Sequence, residues 1–160
     1  MKVLNARTAL LSDYEVLSLL QEMEADQQQG NERSSRIAEG DADDAEKRLM
    51  EKMAKVPQNL RTIQYEILST LSQPYRPAAH QQADHIRSFH VALKAAGFIG
   101  DEILPDRALT KAERLQLVNN APRSLVELHT LVEELGERFT ESQIEELMNL
   151  VATHIPIPPT

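Results

Sequence analysis

Apolar residues along this chain recur mostly every three or four positions, which is the spacing of a helix that buries one face. Two segments of the N-terminal half follow that spacing. The first begins with the capping box Ser12-x-x-Glu15, in which each side chain accepts from the other residue's backbone N–H. Its apolar positions are Tyr14, Leu17, Leu20 and Met23. The second begins after Pro57, and its apolar positions are Leu60, Ile63, Ile67, Leu68 and Leu71.

The C-terminal half predicts four more amphipathic helices, within residues 83–98, 109–120, 124–136 and 139–154. Thr110 and Thr140 each open a capping box, and Ser124 is a good N-cap. Gly97 and Gly136 are expected to end their helices, because Gly adopts the left-handed conformation of a helix C-terminus without strain. The buried faces are expected to include Phe89, Leu93, Leu117, Leu125, Leu128, Val132, Leu135, Ile144, Leu147 and Val151.

The sequence Asn119-Asn120-Ala121-Pro122 interrupts this series between the second and third of these helices. Asn tolerates the left-handed conformation that ends helices, and Pro cannot continue one. A new helix is expected immediately afterwards. The break therefore predicts two short helices that fold back tightly on each other.

These patterns predict an all-α protein in two parts. Residues 1–72 are expected to form a helical N-terminal region that pairs with a partner and begins with an extended apolar segment. Residues 83–155 are expected to form a compact helical domain. Within the first part, residues 27–44 are rich in Gln, Asn, Ser and acid, so we expect them to be mobile because they bury too little to offset their ordering entropy.

Composition narrows the class of protein. The formal net charge is −8, from 17 basic and 25 acidic residues, which favours protein partners over nucleic acid. The absence of Cys excludes disulfides and thiolate metal sites. The apolar run at the N-terminus ends at Ser12-Asp13, and no segment approaches the length of a membrane helix, so we expect a soluble intracellular protein without membrane contact.

No group of residues predicts catalysis, a cofactor or a metal ion. His80, His85 and His90 are spaced by five, which turns them away from a common helix face, whereas a helical zinc pair needs three or four. Adjacent acids such as Glu145-Glu146 diverge by about 100° on a helix and belong to solvated faces. Phosphate-binding and nucleophile-elbow motifs are absent from the sequence. We expect the protein not to be an enzyme.

One local excess of positive charge is a candidate docking patch. Between residues 105 and 124, four basic residues accompany two acidic ones. Lys111 and Arg114 share a helix face, and Arg123 follows the break. The ordinary interpretation is a solvated helix face. The alternative is a patch that docks an acidic protein or a nucleic-acid backbone.

Both ends of the chain resemble the family of smaller stalk subunits of nuclear RNA polymerase III. The opening "MKVLNARTALLSDYEVL" is similar to that family's first segment, and the region from residue 109 is similar to its C-terminal HRDC-like helical domain. The matching positions are Leu109, Lys111, Glu113, Leu115 and Gln116, then Asn119 and Pro122, then Val126, Leu128, Val132, Glu133, Glu134, Arg138 and Phe139. Residues 27–44 and 73–82 do not match the family pattern.

The resemblance implies a non-catalytic, nuclear subunit that forms a heterodimer with a larger stalk subunit carrying an oligonucleotide-binding-type domain. The pair would project from the polymerase core and help initiation factors recruit the enzyme to genes for transfer RNA, the small ribosomal RNA and other short RNAs. The segment expected to contact the larger subunit is too apolar for an exposed terminus, and its residues are Val3, Leu4, Leu10, Leu11, Tyr14 and Leu17. Lys111, Arg114 and Arg123 would face an initiation factor or RNA, with any nucleic-acid contact weak or indirect.

Two other classes of function remain open on the sequence. A free-standing HRDC-like module that binds nucleic acid would have the same short helices, but net acidity and the lack of stacking aromatics in the C-terminal helices oppose it. A small helical enzyme would need a nucleophile, base or metal set that this sequence does not bring together. Salt-sensitive binding of single-stranded nucleic acid would favour the free-standing module. Loss of an activity on substitution of one polar residue would favour the enzyme.

Overall fold

The computed structural model describes residues 9–38, 57–100 and 107–156 of the chain. Those residues form seven α-helices and one short 3₁₀ helix, and no strand lies among them. The helices are α1 (Asp13–Ala38), α2 (Gln58–Leu71), α3 (Ala83–Ala95), α4 (Lys111–Asn120), α5 (Leu125–Leu131), α6 (Leu135–Arg138) and α7 (Glu141–His154), with the 3₁₀ helix at Pro77–Ala79. The predicted all-α class is confirmed.

The described residues group into two compact units. One unit contains residues 9–15 together with residues 73–100 and 107–156, and the other lies within Val16–Ser72. Residues 77 and 78 of the Pro-containing connection are buried, and the 3₁₀ helix packs against α4. The proposed division into residues 1–72 and 83–155 stays a prediction. None of the helices that the structure describes is long and apolar enough to cross a membrane.

Helix α2 of the Val16–Ser72 unit presents a different face from the one predicted. Gln64 and Leu68 are buried, whereas Leu60 and Ile63 keep 43% and 52% of their surface exposed. Positions 64, 67, 68 and 71 share one side of a helix, so the inward face is rotated by about one residue from the predicted stripe. Apolar spacing alone did not predict that a Gln occupies the buried side.

Helix α1 begins where the capping box predicts. The backbone N–H of Ser12 donates to Glu15 Oε2 at 2.7 Å, and the N–H of Glu15 donates to Ser12 Oγ at 3.2 Å. The helix continues to Ala38 and so includes part of the segment 27–44. Gln, Glu and Arg are good helix formers, and an isolated Gly costs only about 1 kcal/mol in a helix. The mobility expected for residues 27–44 stays a prediction, and residues 39–44 lie outside the described residues.

The bundle formed by α3 to α7 encloses a single apolar core, and α3 packs against α7. Rings of Phe98 and Phe139 meet in this core with their centroids 5.6 Å apart. The fully buried residues are Phe89, Leu93, Phe98, Leu117, Val118, Leu128, Val132, Leu135, Leu147, Val151 and Ile155. The faces predicted for α3 and α7 are confirmed, but Leu125 is 50% exposed, because it lies in the first turn of α5 and outside the core.

Caps at the helix ends follow the sequence closely. Thr110, Ser124 and Thr140 each accept a hydrogen bond from the backbone N–H three residues later. At the end of α3, Gly97 has φ +77°, its N–H donates to Lys94 O, and the N–H of Phe98 donates to Leu93 O. This pair of bonds is the Schellman motif, so the helix end predicted at Gly97 is confirmed.

The break after α4 forms differently from the prediction. Both Asn residues stay in the helix, and Ala121 adopts the left-handed conformation with φ 45° and ψ 64°. Pro122 accounts for the end of the helix at Asn120, because a proline disfavours the right-handed helical conformation in the residue before it. Ala121 is also buried in the core. An Asn side chain buried at this position would need a hydrogen-bond partner, whereas the methyl group of Ala needs none.

The single helix predicted over residues 124–136 is wrong, because the structure has two. Helix α5 ends at Leu131, Val132 is extended, and Glu134 takes the left-handed conformation with φ 49° before α6 begins. Gly136 therefore lies inside α6 and caps nothing. The break lets Val132 and Leu135 both reach the core. Within the break, the backbone N–H of Glu133 donates to the buried carboxylate of Glu113.

Candidate partner-binding surface

A buried ion pair between Glu113 and Arg138 fixes the shape of the bundle near the start of α4. Both carboxylate oxygens of Glu113 accept from the guanidinium of Arg138, whose Nη2 lies 3.2 Å from Oε2. Glu113 is 7% exposed. We call this pair and its hydrogen-bond partners the Glu113 cluster.

Three backbone segments meet at the Glu113 cluster. The N–H of Thr110 donates to Glu113 Oε2 at 2.7 Å, which completes the capping box of α4. The N–H of Glu133 donates to Oε1 at 3.2 Å, and this bond anchors the break between α5 and α6. Arg138 donates to the carbonyls of Ala108 at 2.7 Å and of Glu133 at 2.8 Å. One carboxylate and one guanidinium therefore hold α4, the break and α6 together.

The Glu113 cluster strongly favours the ionised carboxylate. Burial by itself raises the pKa of Glu113, but the hydrogen bonds from Arg138, Thr110 and Glu133 outweigh it. The pKa of Glu113 falls from 4.5 to about 2. The hydrogen bond to Glu113 also raises the pKa of Arg138. This is the chemistry of a structural anchor, since neither group is positioned to exchange a proton near neutral pH.

A second polar contact attaches the chain before α1 to the end of α4. The N–H of Asp13 donates to Asn119 Oδ1 at 3.0 Å, and Asn119 Nδ2 donates to Asp13 Oδ1 at 3.2 Å. The two residues are 106 positions apart in the sequence. Asn119 belongs to the predicted break, so the break also supplies the residue that holds the N-terminal segment.

Residues 9–15, α3 and α4 surround an open groove that we call the basic groove. Its apolar surface comes from Leu10, Ile86, Leu115 and Val118. Its polar residues are Ser12, Glu15, His90, Lys111 and Arg114. The groove therefore combines an apolar floor with two cations on one turn of α4.

The structure brings two of the three predicted docking residues together. Lys111 and Arg114 both line the basic groove. Arg123 lies beyond the opposite end of α4, where it lines a separate surface depression with Tyr75 and Pro77. Arg123 therefore does not line the basic groove, since it follows α4, whose ten residues span about 15 Å, whereas Lys111 begins that helix.

The predicted N-terminal contact residues divide into exposed and buried ones. Leu10 and Leu11 keep 62% and 49% of their surface exposed. Tyr14 is half-buried, and Leu17 is only 5% exposed within the chain itself. Val3 and Leu4 lie outside the described residues. Leu10 and Leu11 are thus the described members of this set with most surface left for a partner.

The three spaced histidines each have a backbone partner rather than one another. His80 Nε2 lies 2.8 Å from Pro74 O, and His90 Nδ1 lies 2.9 Å from Ile86 O. His85 Nδ1 accepts from the N–H of Gln82 and so completes the capping box of α3. Among the residues that the structure describes, no three His, Asp or Glu side chains come close enough to hold a metal ion.

Sequence reasoning missed the partners of Glu113 and Asn119. It assigned Glu113 to a helix cap and Asn119 to a helix stop, and both assignments omit the long-range contact. A signal was present, since Glu113, Asn119 and Arg138 are polar residues at matching positions of the family pattern. No feature of the sequence indicated the role of Gln81. This residue is buried, and its Nε2 donates to Val118 O at 2.7 Å.

Comparison with known proteins identifies the family. The model of the family described as RNA polymerase Rpb4 matches residues 10–155. The DNA-directed RNA polymerase III subunit rpc9 of Schizosaccharomyces pombe is 35% identical over 156 residues, which cover 98% of this chain and 100% of that protein. The DNA-directed RNA polymerase III subunit RPC9 of Saccharomyces cerevisiae is 28% identical over 95% of this chain and 98% of its own length. The chain belongs to the RNA polymerase Rpb4 family.

Proposed function

We propose that this chain is the smaller stalk subunit of nuclear RNA polymerase III and has no active site of its own. It forms a heterodimer with the larger stalk subunit, which carries an oligonucleotide-binding-type domain, and the pair is attached to the polymerase core. In this role it helps initiation factors recruit the polymerase to genes for transfer RNA, the small ribosomal RNA and other short RNAs.

The observation that carries the proposal is similarity over nearly the whole chain to two proteins named as subunits of RNA polymerase III. The described side chains agree with a non-catalytic role. The most strongly shifted carboxylate, Glu113, is neutralised by Arg138 and bound to backbone N–H groups inside the bundle. It is therefore committed to structure rather than to a substrate.

The mass and composition of complexes that contain a tagged form of the chain test this proposal directly. Purified from nuclear extract, the tagged chain should carry one copy of a partner with an oligonucleotide-binding-type domain, together with polymerase III core subunits. A monomer without polymerase subunits would contradict the proposal. Salt-sensitive binding of single-stranded nucleic acid by that monomer would support the alternative of a free-standing HRDC-like module.

The exposed leucines before α1 are the proposed contact with the larger subunit. Replacing Leu10 and Leu11 with Asp should abolish pairing, because two carboxylates would have to lose their water in an apolar interface. A matched control replaces Val91 and Val126 with Asp, since these residues are also exposed, at 65% and 75%, but lie on α3 and α5. Pairing retained by the Leu10→Asp, Leu11→Asp variant would remove this part of the proposal.

Lys111 and Arg114 are the proposed contact with an initiation factor. Reversing both charges to Glu should weaken recruitment of the polymerase to a transfer RNA promoter several-fold while the helical content stays unchanged. The control reverses Arg87 and Lys94, which are exposed on α3. Equal transcription by the Lys111→Glu, Arg114→Glu variant and the wild type would count against this contact.

A further inference from the structure

We propose that the basic groove binds an acidic protein segment that inserts a large apolar side chain between α3 and α4. This inference rests on the proposed function, because it specifies the chemistry of the partner that docks at Lys111 and Arg114. It also limits the site, since Arg123 lies in a separate depression and takes no part.

The first argument is that neither cation of the groove forms an ion pair with a carboxylate among the residues that the structure describes. Arg114 Nε donates to the carbonyl of Thr110 at 3.3 Å, which directs the guanidinium without neutralising it. In a chain of net charge −8, two adjacent uncompensated cations form a local site of opposite sign.

The second argument is that the acid of the groove is already engaged. Glu15 Oε2 accepts from both the N–H and the Oγ of Ser12, at 2.7 Å and 2.9 Å, as part of the cap of α1. It forms no ion pair with Lys111 or Arg114. The two cations therefore leave the lining residues with a net positive charge although Glu15 is among them.

The apolar floor sets the second requirement on the partner. Leu115 lies on α4 but is not part of the enclosed core, and Ile86 packs against that core while remaining only half-buried. An apolar side chain inserted here would remove the remaining surface of both residues from water, whereas a purely acidic ligand would leave it exposed.

His90 contributes a ring to the lining of the groove, and its Nδ1 donates to the carbonyl of Ile86 at 2.9 Å. The lining residues include no Phe, Tyr or Trp on which a nucleotide base could stack, which favours protein over nucleic acid.

Fluorescence anisotropy with the full-length chain tests this inference. The probe is a labelled short peptide of alternating Asp and Leu, and the comparison probes are the same peptide with Ser in place of Leu and a single strand of oligothymidine. We expect the Asp-Leu peptide to bind most tightly. Replacing Lys111 and Arg114 with Glu should weaken its binding about tenfold. Replacing Leu115, which lies outside the enclosed core, with Ser should weaken it by a smaller factor.

The control variant Arg87→Glu, Lys94→Glu makes the same charge change on α3 and should leave binding unchanged. An equal loss in that variant would show attraction to net charge alone and would overturn the inference. Equal binding of the Ser peptide would remove the apolar requirement, and tighter binding of oligothymidine would make the ligand a nucleic acid. Failure of the proposed function is distinguishable, because then the chain would bind the peptide but carry no polymerase subunits.

Discussion

The Glu113 cluster and the Asp13–Asn119 contact both use a carboxylate to hold distant parts of the chain, but they differ in almost every other respect. Glu113 and Arg138 are charged, nearly buried and 25 positions apart, and each also binds backbone groups. Asp13 and Asn119 form two hydrogen bonds at a partly exposed site across 106 positions. One contact is built into the bundle, and the other attaches a segment to its surface.

This difference indicates which part of the molecule is fixed and which part can be released. Removing one partner of a buried ion pair leaves an uncompensated charge in the interior, which costs several kcal/mol. Removing a partly exposed amide leaves groups that water can reach, which costs much less. The segment carrying Leu10 and Leu11 is therefore attached to the bundle by a weaker contact than the one that the Glu113 cluster provides.

The largest effect is expected from Glu113→Gln. This change keeps the shape of the side chain but leaves Arg138 buried without a counter-charge, so the free energy of unfolding should fall by about 3–5 kcal/mol. Urea denaturation followed by far-ultraviolet circular dichroism would measure it. Glu137→Gln is the control, because Glu137 is an exposed carboxylate of α6, and it should change stability by less than about 0.5 kcal/mol. Similar losses in both variants would refute the difference.

Acid should weaken the bundle through the same carboxylate. Because folding lowers the pKa of Glu113 from 4.5 to about 2, its contribution is complete above pH 4.5 and is lost as the pH falls towards 2. The contribution is about 3 kcal/mol at neutral pH. Wild type and Glu113→Gln should therefore converge in stability as the solution is acidified. A constant difference between them from pH 7 to about pH 2 would contradict the assignment.

A smaller effect is expected when the surface contact is broken. Asn119→Ala removes both hydrogen bonds to Asp13 and should destabilise the chain by about 1–2 kcal/mol. Asn120→Ala is the control, because Asn120 hydrogen bonds only to Gln116 of its own helix. Amide hydrogen exchange should accelerate at residues 9–15 in Asn119→Ala and stay unchanged in the bundle core. Faster exchange throughout the bundle would show that this contact is also part of the fixed interior.

The smallest effect is expected at the exposed ion pair of α3. Arg87 and Asp84 lie 2.7 Å apart, but their side chains are 73% and 83% exposed. Water and salt screen such a pair, so Arg87→Ala should change the free energy of unfolding by less than about 0.5 kcal/mol. The same denaturation measurement applies. A loss comparable with that of Glu113→Gln would mean that burial does not decide the strength of ion pairs in this bundle.

The sequence predicted the helix caps and helix ends that depend only on residues close together in the chain. Capping boxes at Ser12, Thr110 and Thr140 and the Schellman end at Gly97 require only a few adjacent side chains, and all of them form. The break at Val132 was missed, because its cause is a hydrogen bond from the N–H of Glu133 to a carboxylate 20 positions away. Helical spacing also could not distinguish α5 from a longer helix, since Leu128, Val132 and Leu135 fit either.

The candidate site divides in the same way. The proximity of Lys111 to Arg114 follows from their positions on one helix, and both residues line the basic groove. The separation of Arg123 depends on the left-handed Ala121, which redirects the chain, and the sequence suggested an Asn for that position. The apolar floor of the groove needs residues from three segments far apart in the sequence, so no local pattern could predict it.

The distance in sequence between Asp13 and Asn119 also sets an order of events while the ribosome makes the protein. The two residues are separated by 106 positions, and synthesis proceeds at roughly 5–20 residues per second. The segment with Leu10 and Leu11 is therefore synthesised roughly 5–20 s before its own attachment point. Once it has left the ribosome, the segment is available to the partner that we propose for it before the bundle can bind it, so assembly could begin on the nascent chain.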